Sequence, residues 1–112
     1  MSMSEENHII FNYVHCNRED IEAHEKSFNE SELRQQLFNK LDELQLSISS
    51  VSVELVKEEA NATSPYYAMI NILGPKTDIT VEEKGDTAFN VINGAIHKAI
   101  KLSRDHKSKL SI

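Results

Sequence analysis

The stretch DTAFNVINGAIHKAIKLSRDHKSK, residues 86–109, decides how the chain is organised. Its apolar and small residues recur at intervals of three and four, which is the spacing of one face of an α-helix. That face comprises Ala88, Ile92, Ala95, Ile96, Ala99 and Ser103. Asp86 precedes it and is a residue type that favours the helix N-cap. The pattern therefore predicts a long amphipathic helix that begins after Asp86 and runs to about Lys109.

The opposite face of this predicted helix is basic. Steps of about 100° per residue place five side chains there, namely His97, Lys98, Lys101, Arg104 and Lys109. Lys107 falls nearer the boundary with the apolar face. Cations near a helix C-terminus stabilise its dipole, so a purely solvated face is one interpretation. The face carries almost one sign of charge, however, and such a row also suits contacts with the phosphates of a nucleic acid.

The residues before this helix predict four strands and one further helix. Leu33, Leu37, Leu41 and Leu44 share one helical face, and Asn29 or Ser31 is placed to cap that helix. Alternating or continuous apolar residues mark the strands. The predicted strands cover residues 8–16, 47–58, 66–73 and 77–83, and the first helix covers residues 31–46.

The order β-α-β-β-β-α predicts an α+β fold, a two-layer sandwich with a four-stranded sheet and two helices on one face. We expect a flexible N-terminus over residues 1–7 and one domain over residues 8–112. Residues 17–30 are strongly charged, with Ile21 and Phe28 as their only sizeable apolar side chains. They are therefore predicted to form a loop or a short, poorly anchored helical turn.

The charge of the chain is unevenly distributed. The net charge is −6 over 112 residues. Residues 1–60 hold 13 acidic and 5 basic side chains, whereas residues 61–112 hold 5 acidic and 7 basic ones. Local potential governs encounter more than net charge does, so an acidic body with a basic end favours a directed interaction surface. One cysteine, no signal-like segment and no membrane-spanning run together predict a cytoplasmic protein.

Catalytic and metal-binding interpretations find little support in the sequence. His15, Cys16 and His24 do not match the spacing of a standard metal site, and strand alternation would point His15 and Cys16 to opposite faces. Cys16 lacks the context of a nucleophile and fits a small buried residue. Tyr13, Tyr66 and Tyr67 could stack on bases or cover the core. We expect no enzyme activity, metal, cofactor or small-molecule substrate.

Two segments of the last helix resemble a known family, the ribosome hibernation-promoting factors, also labelled sigma-54 modulation proteins. The segments are Ile92-Asn93-Gly94-Ala95-Ile96-His97-Lys98-Ala99 and His106-Lys107-Ser108-Lys109-Leu110, with Asp86 and Phe89 standing at the opening. The β-α-β-β-β-α order is similar as well. The resemblance is motif-like from residue 86 onward, and because the chain ends at Ile112 it implies the short type of the family.

The resemblance implies a stress-related translation inhibitor that binds the decoding region of the small ribosomal subunit and blocks tRNA and mRNA positions. It implies rRNA contacts from His97, Lys98, Lys101, Arg104, His106, Lys107 and Lys109. It implies no membrane partner, and it leaves a weak homo-oligomer open. Residues 17–30 look like an insertion, and the acidic first half supports an alternative: a protein-interaction or regulatory module on the same fold that has lost the ribosome.

Overall fold

A computed structural model describes residues 8–58 and 64–110. The elements in chain order are β1 (Ile9–Val14), α1 (Arg18–His24), α2 (Glu30–Leu44), β2 (Ser50–Lys57), β3 (Tyr66–Gly74), β4 (Thr77–Gly85) and α3 (Ala88–Leu110). The predicted α+β class is confirmed, with α1 as an added short helix. The flexible N-terminus predicted for residues 1–7 lies outside the described residues.

The four strands form one mixed sheet in the order β1-β2-β3-β4. β1 lies parallel to β2, because α1 and α2 carry the chain back across the sheet between them. β2, β3 and β4 are antiparallel neighbours, and a two-residue loop joins β3 to β4. In the central register, Val53 lies opposite Ile70 and Ile70 lies opposite Val81. The alternation seen in the sequence thus places one apolar side of each strand on a common face.

That apolar face of the sheet forms the core together with the helices. Val51, Val53 and Leu55 of β2 are fully buried, as are Ala68, Ile70 and Ile72 of β3. α2 buries Leu33, Leu37 and Leu41, which lie on one helical face as predicted. Its N-cap is Asn29, whose side chain accepts a hydrogen bond from the backbone N–H of Glu32 at 3.0 Å. α3 packs on β3, β4 and α2, which completes the two-layer sandwich.

Residues 17–30 are better anchored than the sequence indicated. The side chain of Asn17 caps α1 by accepting from the N–H of Asp20 at 2.8 Å. Ile21 and Phe28 are only 4% and 2% exposed and belong to the main core. A short helix is present, as one of the two predicted alternatives had it, but the prediction that it is poorly anchored was wrong. Two apolar residues are too few to show a periodic pattern, but they suffice to fasten a short helix to an existing core.

The same segment supplies the cap of the last helix. One carboxylate oxygen of Glu25 accepts from the N–H of Ala88 at 2.9 Å, and the other accepts from the N–H of Phe89 at 3.0 Å. Thr87 Oγ1 accepts from the N–H of Asn90 at 3.1 Å. The predicted cap, Asp86, instead accepts from the side-chain amide of Asn90. Thr87 and Glu25 therefore satisfy N–H groups at this end that would otherwise lack a partner.

Further acidic side chains near α1 form hydrogen bonds and salt bridges within the fold. Glu22 accepts from Arg18 at 3.0 Å and from the N–H of Glu30 at 2.9 Å. Glu30 in turn pairs with Arg34 at 2.8 Å and accepts from the Tyr13 hydroxyl at 2.7 Å. This network joins β1, α1 and α2. Much of the negative charge in the apparent insertion is therefore neutralised or hydrogen-bonded locally.

Replacing Glu25 by Ala should destabilise the protein by about 1–3 kcal/mol, because two charge-assisted hydrogen bonds to the start of α3 are lost. Urea unfolding of the variant and the parent protein measures this difference. Glu19→Ala is the matched control, since Glu19 is 85% exposed and lies 4.0 Å from Arg18. A loss no larger than the control's would show that the Glu25 cap contributes nothing.

Tyr13 should make the protein less stable in alkali. Burial, followed by the hydrogen bond to Glu30 and its charge, raises the pKa of Tyr13 above its ordinary value. Above pH ~10 the unfolded chain releases this proton while the folded chain retains it, so the free energy of unfolding falls as pH rises.

The measurement is urea unfolding of the parent protein and of Tyr13→Phe between pH ~9 and ~11. The variant should show a shallower decline in the free energy of unfolding, by at most about 1.4 kcal/mol per pH unit. Lysine deprotonation affects both proteins alike and cancels in the comparison. Identical slopes would contradict the role given to Tyr13.

Candidate functional site

A groove of about 300 Å³ runs between α2 and α3 on the helical side of the sandwich. Ile96 and Ile100 of α3 form its apolar floor, and both belong to the core. Polar side chains from both helices line it, namely Gln36, Lys40, His97, Lys101 and Arg104. We call this set, with its floor, the α2–α3 groove. No carboxylate is among the lining residues.

The buried side of α3 determines which of its side chains reach the groove. Ile92, Ile96, Ala99 and Ser103 are buried, as the sequence predicted. His97, Lys101 and Arg104 follow at spacings of four and three, so they lie on one face of the helix. All three are exposed. The buried face of α3 thus directs His97, Lys101 and Arg104 outward beside α2.

The cations of the groove are free to meet an anion. Lys40, Lys101 and Arg104 take part in none of the salt bridges formed within residues 8–58 and 64–110. Lys40 was missed as a site residue in the sequence. Its position on the polar side of α2 is visible there, but its approach to α3 depends on how the two helices pack.

The other predicted RNA-binding residues lie elsewhere. Lys98 points toward β4, where its Nζ lies 3.3 Å from Glu83 Oε2 and donates to the Glu82 carbonyl oxygen at 3.0 Å. His106 Nε2 lies 2.7 Å from the Lys76 carbonyl oxygen. Lys107 Nζ donates to the Leu44 carbonyl oxygen.

Lys109 is exposed near the end of α3. The structure therefore brings together His97, Lys101 and Arg104 of the seven predicted residues, and it adds Lys40. Lys98, His106 and Lys107 make contacts within the fold. A helical projection separates faces correctly, but it does not show how far a long side chain bends toward a neighbouring element.

A second cavity, of about 240 Å³, lies at the end of β1. His15, Cys16 and His24 all line it, together with Glu25 and Lys57. The prediction that a strand runs through His15 and Cys16 was wrong, because β1 ends at Val14 and His15 has a positive φ of 59°. Strand alternation no longer applies at these two positions.

The groups around this second cavity are occupied by local contacts. The Cys16 thiol donates toward the Val14 carbonyl oxygen at 3.4 Å, and burial raises the pKa of Cys16. His24 Nδ1 lies 2.8 Å from the Asp20 carbonyl oxygen. Within the described part of the chain, no group of three His, Cys, Asp or Glu side chains is arranged to hold a metal ion.

Two of the three tyrosines cover the core. Tyr13 and Tyr66 are partly buried and pack against the core, and Lys57 Nζ lies 5.8 Å from the centre of the Tyr66 ring. Tyr67 lies on the open face of the sheet, where burial and then a hydrogen bond to Glu82 raise its pKa. Of the two roles considered for these residues, covering the core fits Tyr13 and Tyr66.

None of the helices in the described part of the chain could span a lipid bilayer. No family model and no curated protein sequence matches the chain. Its fold is similar to the solved structure of a ribosomal subunit interface protein from Coxiella burnetii, with a TM-score of 0.57 and 16% sequence identity. The match covers 89% of this chain and 97% of that chain. The chain therefore has the fold of that ribosomal subunit interface protein.

Proposed function

We propose that this protein is a ribosome-associated translation inhibitor of the hibernation type. It binds rRNA of the small subunit in the decoding region and blocks the tRNA and mRNA positions. The single observation that carries the proposal is the α2–α3 groove, whose cations form no salt bridge with the described residues, on the fold of a ribosomal subunit interface protein. The family resemblance of the last helix supports the same function.

RNA is the ligand that best fits this surface. Lys40 of α2 and Lys101 and Arg104 of α3 line one groove, so they present several cations together to the phosphates of an RNA. His97 lies among them and adds a hydrogen-bond donor. Phosphate contacts position a protein on RNA, whereas the shape of the folded RNA supplies specificity. Lys109, which is exposed near the end of α3, would add a further cation beyond the groove.

The proposed mechanism is steric occlusion in the cytoplasm. A protein that occupies the decoding region competes with tRNA and mRNA for space, and this requires neither turnover nor a cofactor. The interface consists of the groove residues and Lys109. Lys98 contacts β4, His106 contacts the loop between β3 and β4, and Lys107 contacts α2. These three residues would therefore contribute by holding α3 in place.

The alternative is a protein-interaction or regulatory module that keeps the fold without ribosome binding. Exposed acids on α1 and α2, such as Glu19, Glu32 and Glu43, favour it. They would repel phosphates if they faced the RNA. The groove lining contains no acid, however, and Glu22, Glu25 and Glu30 are engaged in internal contacts. RNA binding through the groove is therefore the better supported function.

Cosedimentation with small ribosomal subunits tests the proposal. The protein should pellet with subunits at ~50 mM salt, and its affinity should fall at least about tenfold by ~200 mM salt, because phosphate contacts release counterions. Lys101→Glu combined with Arg104→Glu should abolish pelleting. The matched control is Lys26→Glu combined with Lys76→Glu, which changes the charge equally at exposed positions outside the groove.

The outcomes separate the hypotheses. No pelleting of the parent protein at low salt would favour the protein-interaction module. Equal pelleting of the groove variant and the parent protein would refute the groove as the interface, even with ribosome binding retained. Equal loss in both double variants would point to net charge rather than to the groove.

A further inference from the structure

The outer edge of β4 is an unpaired sheet edge. β4 is the last strand in the order β1-β2-β3-β4, so only β3 pairs with it within the described chain. It is nine residues long, and its pairing with β3 continues without interruption from Thr77 to Gly85. An edge of this length offers a row of backbone N–H and C=O groups to another strand.

The backbone groups that face outward can be identified. The two-residue loop Pro75-Lys76 closes the hairpin at the pair Gly74–Thr77. Hydrogen-bonded and non-bonded pairs alternate from there, so the odd-numbered residues of β4 bond to β3. The even-numbered residues, Asp78, Thr80, Glu82 and Lys84, therefore present their N–H and C=O groups at the edge. The hydrogen bond from Lys98 Nζ to the Glu82 carbonyl oxygen agrees with this assignment.

We propose that β4 pairs antiparallel with β4 of a second copy of this chain, about a two-fold axis at Val81. This register places Asp78 opposite Lys84 of the second copy at both ends of the pairing, and Thr80 opposite Glu82. Opposite charges in direct cross-strand positions stabilise a sheet, whereas like charges destabilise it. The outward residues of β4 are thus complementary to themselves.

The neighbouring registers are unfavourable. A shift of two residues in one direction sets Asp78 opposite Glu82 and Lys76 opposite Lys84. A shift in the other direction sets Glu82 opposite Glu82 and Asp78 opposite Asp86. Shifts of one residue would turn side chains to the wrong faces of the sheet. Charge alone therefore selects the pairing centred at Val81.

α3 adds an apolar contact beside this edge. A groove of about 460 Å³ lies between β4 and α3, and Leu102, which is 44% exposed, lines it. α3 runs antiparallel to β4, since His106 lies beside Thr77 and Lys98 lies beside Glu82. Leu102 therefore sits near the level of Thr80, close to the proposed axis. The pairing brings the two Leu102 side chains toward each other and removes them from water.

The hydrogen bond from Lys98 to the edge of β4 weakens the pairing of the two strands but does not prevent it. Its Nζ occupies one lone pair of the Glu82 carbonyl oxygen, and a carbonyl oxygen has two. The second is available to the N–H of Thr80 from the other copy. The contact is small beside the roughly 1,200–2,000 Å² of stable interfaces, so we expect a weak dimer, with a dissociation constant of about 10–500 μM. Lys101 lines both the groove between β4 and α3 and the α2–α3 groove, but the inference does not rest on ribosome binding.

Sedimentation equilibrium in ~150 mM salt, up to about 1 mM protein, tests the dimer against the expected affinity. Asp78→Lys alone and Lys84→Asp alone should each weaken dimerisation at least about tenfold, because each creates two like-charge pairs. The double variant Asp78→Lys, Lys84→Asp should restore it. Leu102→Ser should weaken it, and Lys26→Asp, at an exposed position near the end of α1, should leave it unchanged.

Restoration by the double variant cannot arise from misfolding, and urea unfolding of each single variant shows that the fold is intact. A monomer at about 1 mM, or a dimer that neither charge change affects, would overturn the proposal. A dimer lost in both single variants and not restored in the double one would also overturn the register. Ribosome pelleting is measured separately, so failure of either proposal leaves the other identifiable.

Discussion

The close packing of α3 against the sheet is the constraint on which the rest of the structure depends. The buried side of this helix alternates branched aliphatic residues with small ones, including Ala95, Ala99 and Ser103. The small side chains let the helix lie near β3 and β4, and the branched ones fill the space on either side. The Ser103 hydroxyl is buried without a hydrogen-bond partner among the described residues. At this position the small size of the serine side chain matters more for helix packing than its polar hydroxyl does.

Periodic features of the sequence predicted the fold well. β2, β3, β4, α2 and α3 carry repeated apolar spacings, and each forms close to the expected residues. α1 could not be predicted in the same way, because Ile21 and Phe28 are isolated in a charged segment. The cap from Glu25 is a contact between residues about sixty positions apart, and no local pattern reports such a contact.

The candidate site was predictable in part for the same reason. His97, Lys101 and Arg104 were identified because a helical face follows from sequence spacing alone. Lys40 was not, because its position relative to α3 depends on helix packing. Lys98 and Lys107 share the basic composition of α3, yet their flexible side chains reach β4 and α2. Sequence spacing predicts where the Cα atom of a lysine lies on the helix. The position of its ammonium group depends on the neighbouring elements.

The Glu25 cap has a consequence for how the molecule is made. Its two halves lie more than sixty positions apart in the sequence, so a chain emerging during synthesis holds the carboxylate long before the helix that needs it. The start of α3 is complete only when both segments have been synthesised and have come together. The basic helical surface therefore depends on a contact between an early and a late segment of the chain, and its local sequence alone does not complete it.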